Sequence, residues 1–225
     1  EEPVRPTSIP STRVAPAPDL VQEAAAMLAP SERPVIFVGD GVAYSGAQDE
    51  LTRVAELLGA EVWDADAGEV NMAERHPLYQ GMTGHMFGEH SLPILQKGDG
   101  VLVVGTYIVP EVFPHLGDVW SPGAKVVHVD LNAYEIAKNH PVDLGVVADP
   151  KLTLSALAEA LDRTMTDAAK QAARERLEAA RRAKAAQHEA ALEADRQVRD
   201  AVPIRMTRFM EDLAAHLPAG TIVFD

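Results

Sequence analysis

The chain has 225 residues, no cysteine and a formal net charge of −14 at pH 7. That length suits one domain of ordinary size with extensions, and the lack of thiols excludes disulfides, thiolate metal sites and cysteine nucleophiles. The acidic balance argues against nucleic acid, whose phosphates need Lys and Arg; no apolar run reaches the ~18 residues of a membrane span and no signal peptide opens the chain, so a cytoplasmic location is expected.

Five of the 16 prolines lie between Pro3 and Pro18. Proline removes backbone donors and fixes φ, which predicts an extended connector over residues 1–18, mobile or ordered only against another chain. Asp19 is expected to cap a helix over Leu20–Leu28, closed by Pro30. Pro34–Val38 is a continuous apolar run, the pattern of a strand buried on both faces, and Gly39-Asp40-Gly41 ends it. Ser45-Gly46-Ala47-Gln48 has capping-box spacing before a helical stripe of Leu51, Val54, Leu57 and Leu58, with Gly59 as the stop. A second strand is expected at Ala60–Trp63, after which residues 64–89 show no period. A helix follows over Glu89–Gln96, then strands at Gly100–Val104, Ala124–Val129 and Leu144–Val147 and a helix over Lys151–Leu161. Strands alternating with helices predict an α/β, Rossmann-like parallel sheet with helices on both faces.

Beyond Met165 the composition shifts to Ala, Arg, Glu and Lys, strong helix formers that predict one long charged helix over Asp167–Asp200. Arg174, Glu178 and Arg182 are spaced by four and attract along one face. Apolar anchors are few, mainly Leu177, Leu192 and Val198, so the helix should lean weakly on the core and be mobile or ordered only against another chain. A helix over Met206–Leu217 with a clear apolar stripe and a strand beginning at Thr221–Phe224 then open a new unit, expected to be truncated. The domain plan is a connector (1–18), a central α/β domain (19–165), a linker helix (166–202) and the start of another domain (203–225).

Gly39-Asp40-Gly41 sits between a strand and a helix, as a dinucleotide-binding turn does, but Tyr44 stands where G-x-G-x-x-G needs its third glycine. Two readings stay open: a tight turn, or a nucleotide site using free amides at the helix start. His85, Glu89 and His90 are spaced one residue off a helical zinc motif. They read as loop residues, as do His76, His115, His128 and His140 beside turns and strand ends. Asp64 and Asp66 follow the second strand, where α/β ligand sites occur, and read as surface carboxylates. No Ser-His-Asp set or nucleophile elbow is present.

Val129–Asp149, VDLNAYEIAKNHPVDLGVVAD, combines a strand ending in an acid, a short turn and a second strand leading to Asp149. It resembles the central domain of thiamine-diphosphate-dependent decarboxylases and carboligases, the group with acetolactate synthase and benzoylformate decarboxylase. Arg33–Gly41 is similar to the first strand and turn of that domain, Ala55–Val62 to the next helix and strand, and His76–Gly84 to the loop after the second strand. Asp99–Gly105 is similar to its third strand, and Thr207–Asp225 to the opening of the diphosphate-binding domain.

The resemblance implies a parent enzyme that uses thiamine diphosphate and Mg2+ on 2-oxo acids and assembles as a homodimer or homotetramer. Its activating glutamate and magnesium motif are implied to lie in flanking domains, so no catalytic or metal residue is assigned in this chain. The GDG-to-Asn magnesium motif is not met here, because the next Asn after Gly41 is Asn71 and after Gly100 is Asn132, both too far. Central domains of the family are structural in some members and bind a nucleotide in others. The implied nucleotide contacts are Gly39, Asp40, Gly41, Met82, Gly84, Gly105, Thr106, Asp130 and Asp149. FAD-binding members carry Arg-Phe-Asp-Asp-Arg where this chain has Thr106-Tyr-Ile-Val-Pro110; losing those arginines removes partners for phosphates and argues against FAD. Glu135–Asn139, in contrast, is more similar to acetolactate synthase. The alternative is a stand-alone NAD- or FAD-binding domain of an oxidoreductase.

Overall fold

A computed structural model describes residues 7–8, 10–65, 67–84, 86–108 and 111–222. By contacts the chain divides into two units, Glu1–Ala180 and Arg181–Asp225.

The first unit is built on six strands: β1 (Pro34–Val38), β2 (Glu61–Asp64), β3 (Tyr79–Met82), β4 (Gly100–Val104), β5 (Lys125–Asp130) and β6 (Leu144–Val147). All pair parallel in the order β3-β2-β1-β4-β5-β6. Chain order therefore runs outward in both directions from the β1–β4 seam, the arrangement in which α/β sheets open a crevice at their carboxyl ends. Its helices are α1 (Pro18–Leu28), α2 (Gly41–Ser45), α3 (Gln48–Leu58), α4 (Gly88–Leu95), α5 (Pro150–Thr164) and the start of α6 (Asp167–Gln197).

Alternation along the buried strands divides the core. Ile36, Val38, Leu102, Val104, Val127 and Val129 face α1, α3 and α5, whose Leu28, Leu51, Leu58, Leu154, Leu157 and Leu161 complete the larger cluster. Each such leucine contributes about 2 kcal/mol of burial. Val35, Phe37, Val101, Val103 and Val126 face the other way, against Leu95 of α4 and Ile108 and Val119 of the irregular segments. One helix plus extended chain thus covers this second face.

Several sequence expectations need correcting. β3 lies in the segment read as irregular, and joins β2 across a register shift at Val62/Trp63. Its four residues include Gly81, and so short a strand with a glycine inside shows no period. Asp19 does not cap α1: Ala17 holds that position and Asp19 lies in the first turn. The capping box does not form either, because Ser45 ends α2, donates its hydroxyl to Val42 O, and leaves Ala47 as the N-cap of α3. The connector is tied to the domain at Arg13 and Val14: Arg13 Nη1 donates to Ser45 O (2.9 Å), and Asp149 N–H donates to Val14 O (2.8 Å).

The first turns of α6 also dock. Ala173 is buried, Leu177 and Ala180 touch the larger cluster, and Arg176 Nη2 donates to Leu58 O at 2.6 Å. Gly59, in the left-handed region at φ 60, lets this happen: a Cβ there would stand 2.5 Å from Ala173 O.

The second unit holds the rest of α6 and α7 (Met206–His216). Arg199 and Asp200, just after α6, pair with Glu211 and Arg208 of α7, and Arg208 also pairs with Asp212 within α7, all through exposed charges. Met206, Phe209 and Met210 on α7 are exposed. The strand expected at Thr221–Phe224 extends beyond the described residues.

Candidate functional site at the carboxyl edge of the sheet

The sequence candidates gather where the strands end. Gly39, Asp40 and Gly41 follow β1, Gly105 and Thr106 follow β4, Asp130 ends β5, and Met82 ends β3, two strands out from the seam, with Gly84 just beyond. At the seam the two backbones touch. A Cβ on Gly41 would lie 2.6 Å from Gly105 Cα, and one on Gly39 would lie 2.5 Å from Thr106 Cβ. Neither glycine can therefore carry a side chain without displacing its neighbour.

The amides at the start of α2 are spent in the same way. Gly41 N–H donates to Gly105 O (3.0 Å), Val42 N–H to Gly39 O (3.0 Å), and Ala43 N–H to Asn71 Oδ1 (3.1 Å). Anion binding at a helix start needs those donors free. Asp40 Oδ1 accepts from the amides of Gly68 and Glu69, and Thr106 Oγ1 donates to Tyr107 O.

Asp149 has a different job. Its side chain is fully buried, caps α5 by accepting from Leu152 N–H (3.0 Å), and receives Arg13. Gly84 is held through Ser91 Oγ, which accepts its N–H at 2.8 Å, while Met82 is exposed.

The edge is rich in carboxylates. Asp64, read from sequence as a surface residue, is buried; Tyr79 Oη donates to its Oδ2 (2.7 Å) and Asn71 Nδ2 to its Oδ1 (3.0 Å). Burial pushes its carboxyl above the usual range, against the pull of those two bonds, and the charge of Asp40 adds to the rise. Tyr79 is raised as well, by burial and then by Asp64. Asp130 is likewise raised by burial, although it accepts from Asn132 N–H at 2.7 Å. Asp66 lies outside the described residues.

Lys138 provides a cation near this edge, but it pairs with Glu135 at 3.1 Å and lies over the rings of Tyr107 (4.4 Å) and Tyr134 (4.8 Å). His128, taken for a bland histidine at a strand end, lies inside β5 with no exposure and bonds through both ring nitrogens. Periodicity could have flagged it, since it shares the face of Val126. Among the described residues no group of three or more His, Asp or Glu could hold a metal ion. His90 lies in the first turn of α4 against Phe87, and His85 is outside the described residues.

The residues present therefore fit a nucleotide or flavin poorly: the amides at the start of α2 are used and the surrounding charge is acidic.

Residues 21–157 match the family described as thiamine pyrophosphate enzyme, central domain. The chain belongs to that family. A probable acetolactate synthase large subunit of Methanocaldococcus jannaschii is 36% identical over 143 residues, 63% of this chain and 24% of that protein. A sulfoacetaldehyde acetyltransferase of Roseovarius nubinhibens is 32% identical over 152 residues, 67% of this chain and 25% of that protein. The crystal structure of benzoylformate decarboxylase from Polynucleobacter necessarius aligns over 97% of this chain and 38% of that one, with a TM-score of 0.67 and 23% identity, a likeness of fold. The chain spans about a quarter of the length of the curated relatives it matches. No helix among the described residues is long and apolar enough to cross a membrane.

Proposed function

We propose that this chain is the central part of a thiamine-diphosphate- and magnesium-dependent enzyme that decarboxylates or joins 2-oxo acids, and that its own role is structural. The observation that carries the reading is the use of the amides at the start of α2: where a dinucleotide fold keeps them free for a ligand, those of Gly41, Val42 and Ala43 all donate within the chain. Bound thiamine diphosphate supplies the electron sink that such carbon–carbon bond cleavage requires. The residues of this chain supply the scaffold, with a connector over 1–18, a domain over 19–165, a linker helix over 166–202 and the start of the diphosphate-binding domain over 203–225. Partners in this reading are the flanking domains and a second copy in a homodimer or homotetramer, in the cytoplasm.

The strand order favours one alternative, a stand-alone NAD- or FAD-binding domain, since β3-β2-β1-β4-β5-β6 is the dinucleotide-binding order. Calorimetric titration of the chain with FAD, ADP and NAD separates the two. No heat at micromolar concentrations is expected; stoichiometric binding of any of them overturns the structural role. The coding frame on both sides tests the parent enzyme. A glutamate-bearing domain upstream and a GDG-to-Asn motif downstream are expected, and a frame with neither refutes it.

A further inference from the structure

We propose that His128 is a clip that holds the turn after β5 at Ala137 only while its ring is neutral, and that protonation frees the turn at that point. The geometry admits one tautomer. Nε2 lies 2.8 Å from the carbonyl of Thr106, an acceptor, so Nε2 carries the proton. Nδ1 lies 3.3 Å from the backbone N–H of Ala137, a donor, so Nδ1 presents its lone pair. The loop after β4 and the turn from Leu131 to Asn139 are thereby fastened to opposite sides of one buried ring. An imidazolium keeps the bond to Thr106 but sets a second N–H against that of Ala137.

The turn is sprung as well as fastened. Ala137 sits at φ 55, the positive-φ residue among the described non-glycines, where a Cβ costs about 1–2 kcal/mol. Two further contacts join the same loops: Asn139 Nδ2 donates to Ile108 O at 2.9 Å, and Lys138 covers Tyr107. These contacts and the bond to Thr106 survive protonation, so loss of the Ala137 bond loosens the turn locally, at its strained residue.

The surroundings favour the neutral ring. On the strands either side, His128 faces Val103 of β4 and Gly145 of β6. The turn contributes Glu135, which favours the cation but is paired with Lys138, and Asp130 follows on the same strand, its carboxyl raised by burial. The post-β4 loop contributes Tyr107, and His140 beyond the turn is set against His115. Burial pushes the imidazole below its usual value despite Glu135.

Amide exchange of the 225-residue chain, corrected for intrinsic rates, reads the clip. Protection of Ala137 should fall about tenfold per pH unit once the ring titrates, while amides of Val35–Val38 stay protected. His128→Asn keeps an acceptor near the Nδ1 position and cannot titrate, so that slope should vanish. Flat Ala137 protection down to global unfolding, or an unchanged slope in His128→Asn, overturns the proposal. Should the variant fail to fold, 15N spectra of the wild-type ring decide: a proton on Nε2 is expected, and a proton on Nδ1 in the neutral form refutes the clip.

Discussion

Arg13 and Asp149, 136 positions apart, form an ion pair in which one guanidinium nitrogen lies 3.3 and 3.2 Å from the two carboxylate oxygens. The aspartate is wholly buried, while the arginine is about half exposed. The pair ties the proline-rich connector to the start of α5, and Asp149 also caps that helix. Connector, helix start and the α2–α3 junction are thereby a single joint, since the same arginine reaches Ser45 O.

Replacing Arg13 by Ala should cost about 1–2 kcal/mol, because it leaves a buried carboxylate with fewer partners. Asp149→Ala should cost at least as much, since a cap worth about 1 kcal/mol is lost as well. Urea midpoints at constant m-value check both. An effect of only a few tenths of a kcal/mol for Arg13→Ala would mark the pair as an ordinary surface contact.

Gly41→Ala and Gly105→Ala should each destabilise by more than 2 kcal/mol or prevent folding, because the new Cβ meets backbone that cannot move aside. Gly105 is also at φ 67. Circular dichroism melting of both variants tests the seam. A mild loss would mean that β1 and β4 can part at this point.

Tyr79→Phe removes the shorter of the two bonds to Asp64. Asp64 has a folded-state pKa above its ordinary value, so its stabilising share is present in acid and lost as pH rises through that raised value. The ionised form at neutral pH depends most on its donors. The variant should lose about 1–3 kcal/mol at pH 7 and less near pH 4. Equal losses at the two pH values would show that the hydroxyl serves packing alone.

Along α6, amides up to Ala180 should exchange more slowly than those beyond Ala185, because Ala173, Leu177 and Arg176 bind the first turns to the domain. Gly59→Ala should abolish the difference by driving a methyl into Ala173 O. Mass spectrometry of deuterated peptides resolves both. Uniform exchange along the helix would show that the docking is too weak to matter.

The buried-type strands were legible because Pro34–Val38 and Gly100–Val104 are apolar without interruption. The edge strand Tyr79–Met82 was not, since four residues with a central glycine carry no pattern and their place is set by pairing with β2. Gathering of Gly39, Gly41, Gly105 and Thr106 followed from their positions after β1 and β4. What they do was hidden, because whether an amide is free or spent depends on contacts across about 64 residues of chain, as from Gly41 to Gly105. The same holds for Asp64, whose burial comes from Tyr79 and Asn71, and for Arg13, which nothing local distinguishes from a solvated cation. The long helix was visible in composition, but its docking depends on contacts distant in sequence, Ala173 against Gly59 and Arg176 on Leu58 O.

Since α5 lies against both α1 and α3, the larger core stays open until the chain has been made through Leu161. Until then the nascent polypeptide holds a seam without its lid, with Leu28, Leu51 and Leu58 facing water. During synthesis the period of greatest exposure to chaperones and proteases is therefore the stretch between completion of β4 and arrival of α5. A ribosome stalled within the Lys125–Val147 region would present this surface, and one stalled well past Thr164 would not.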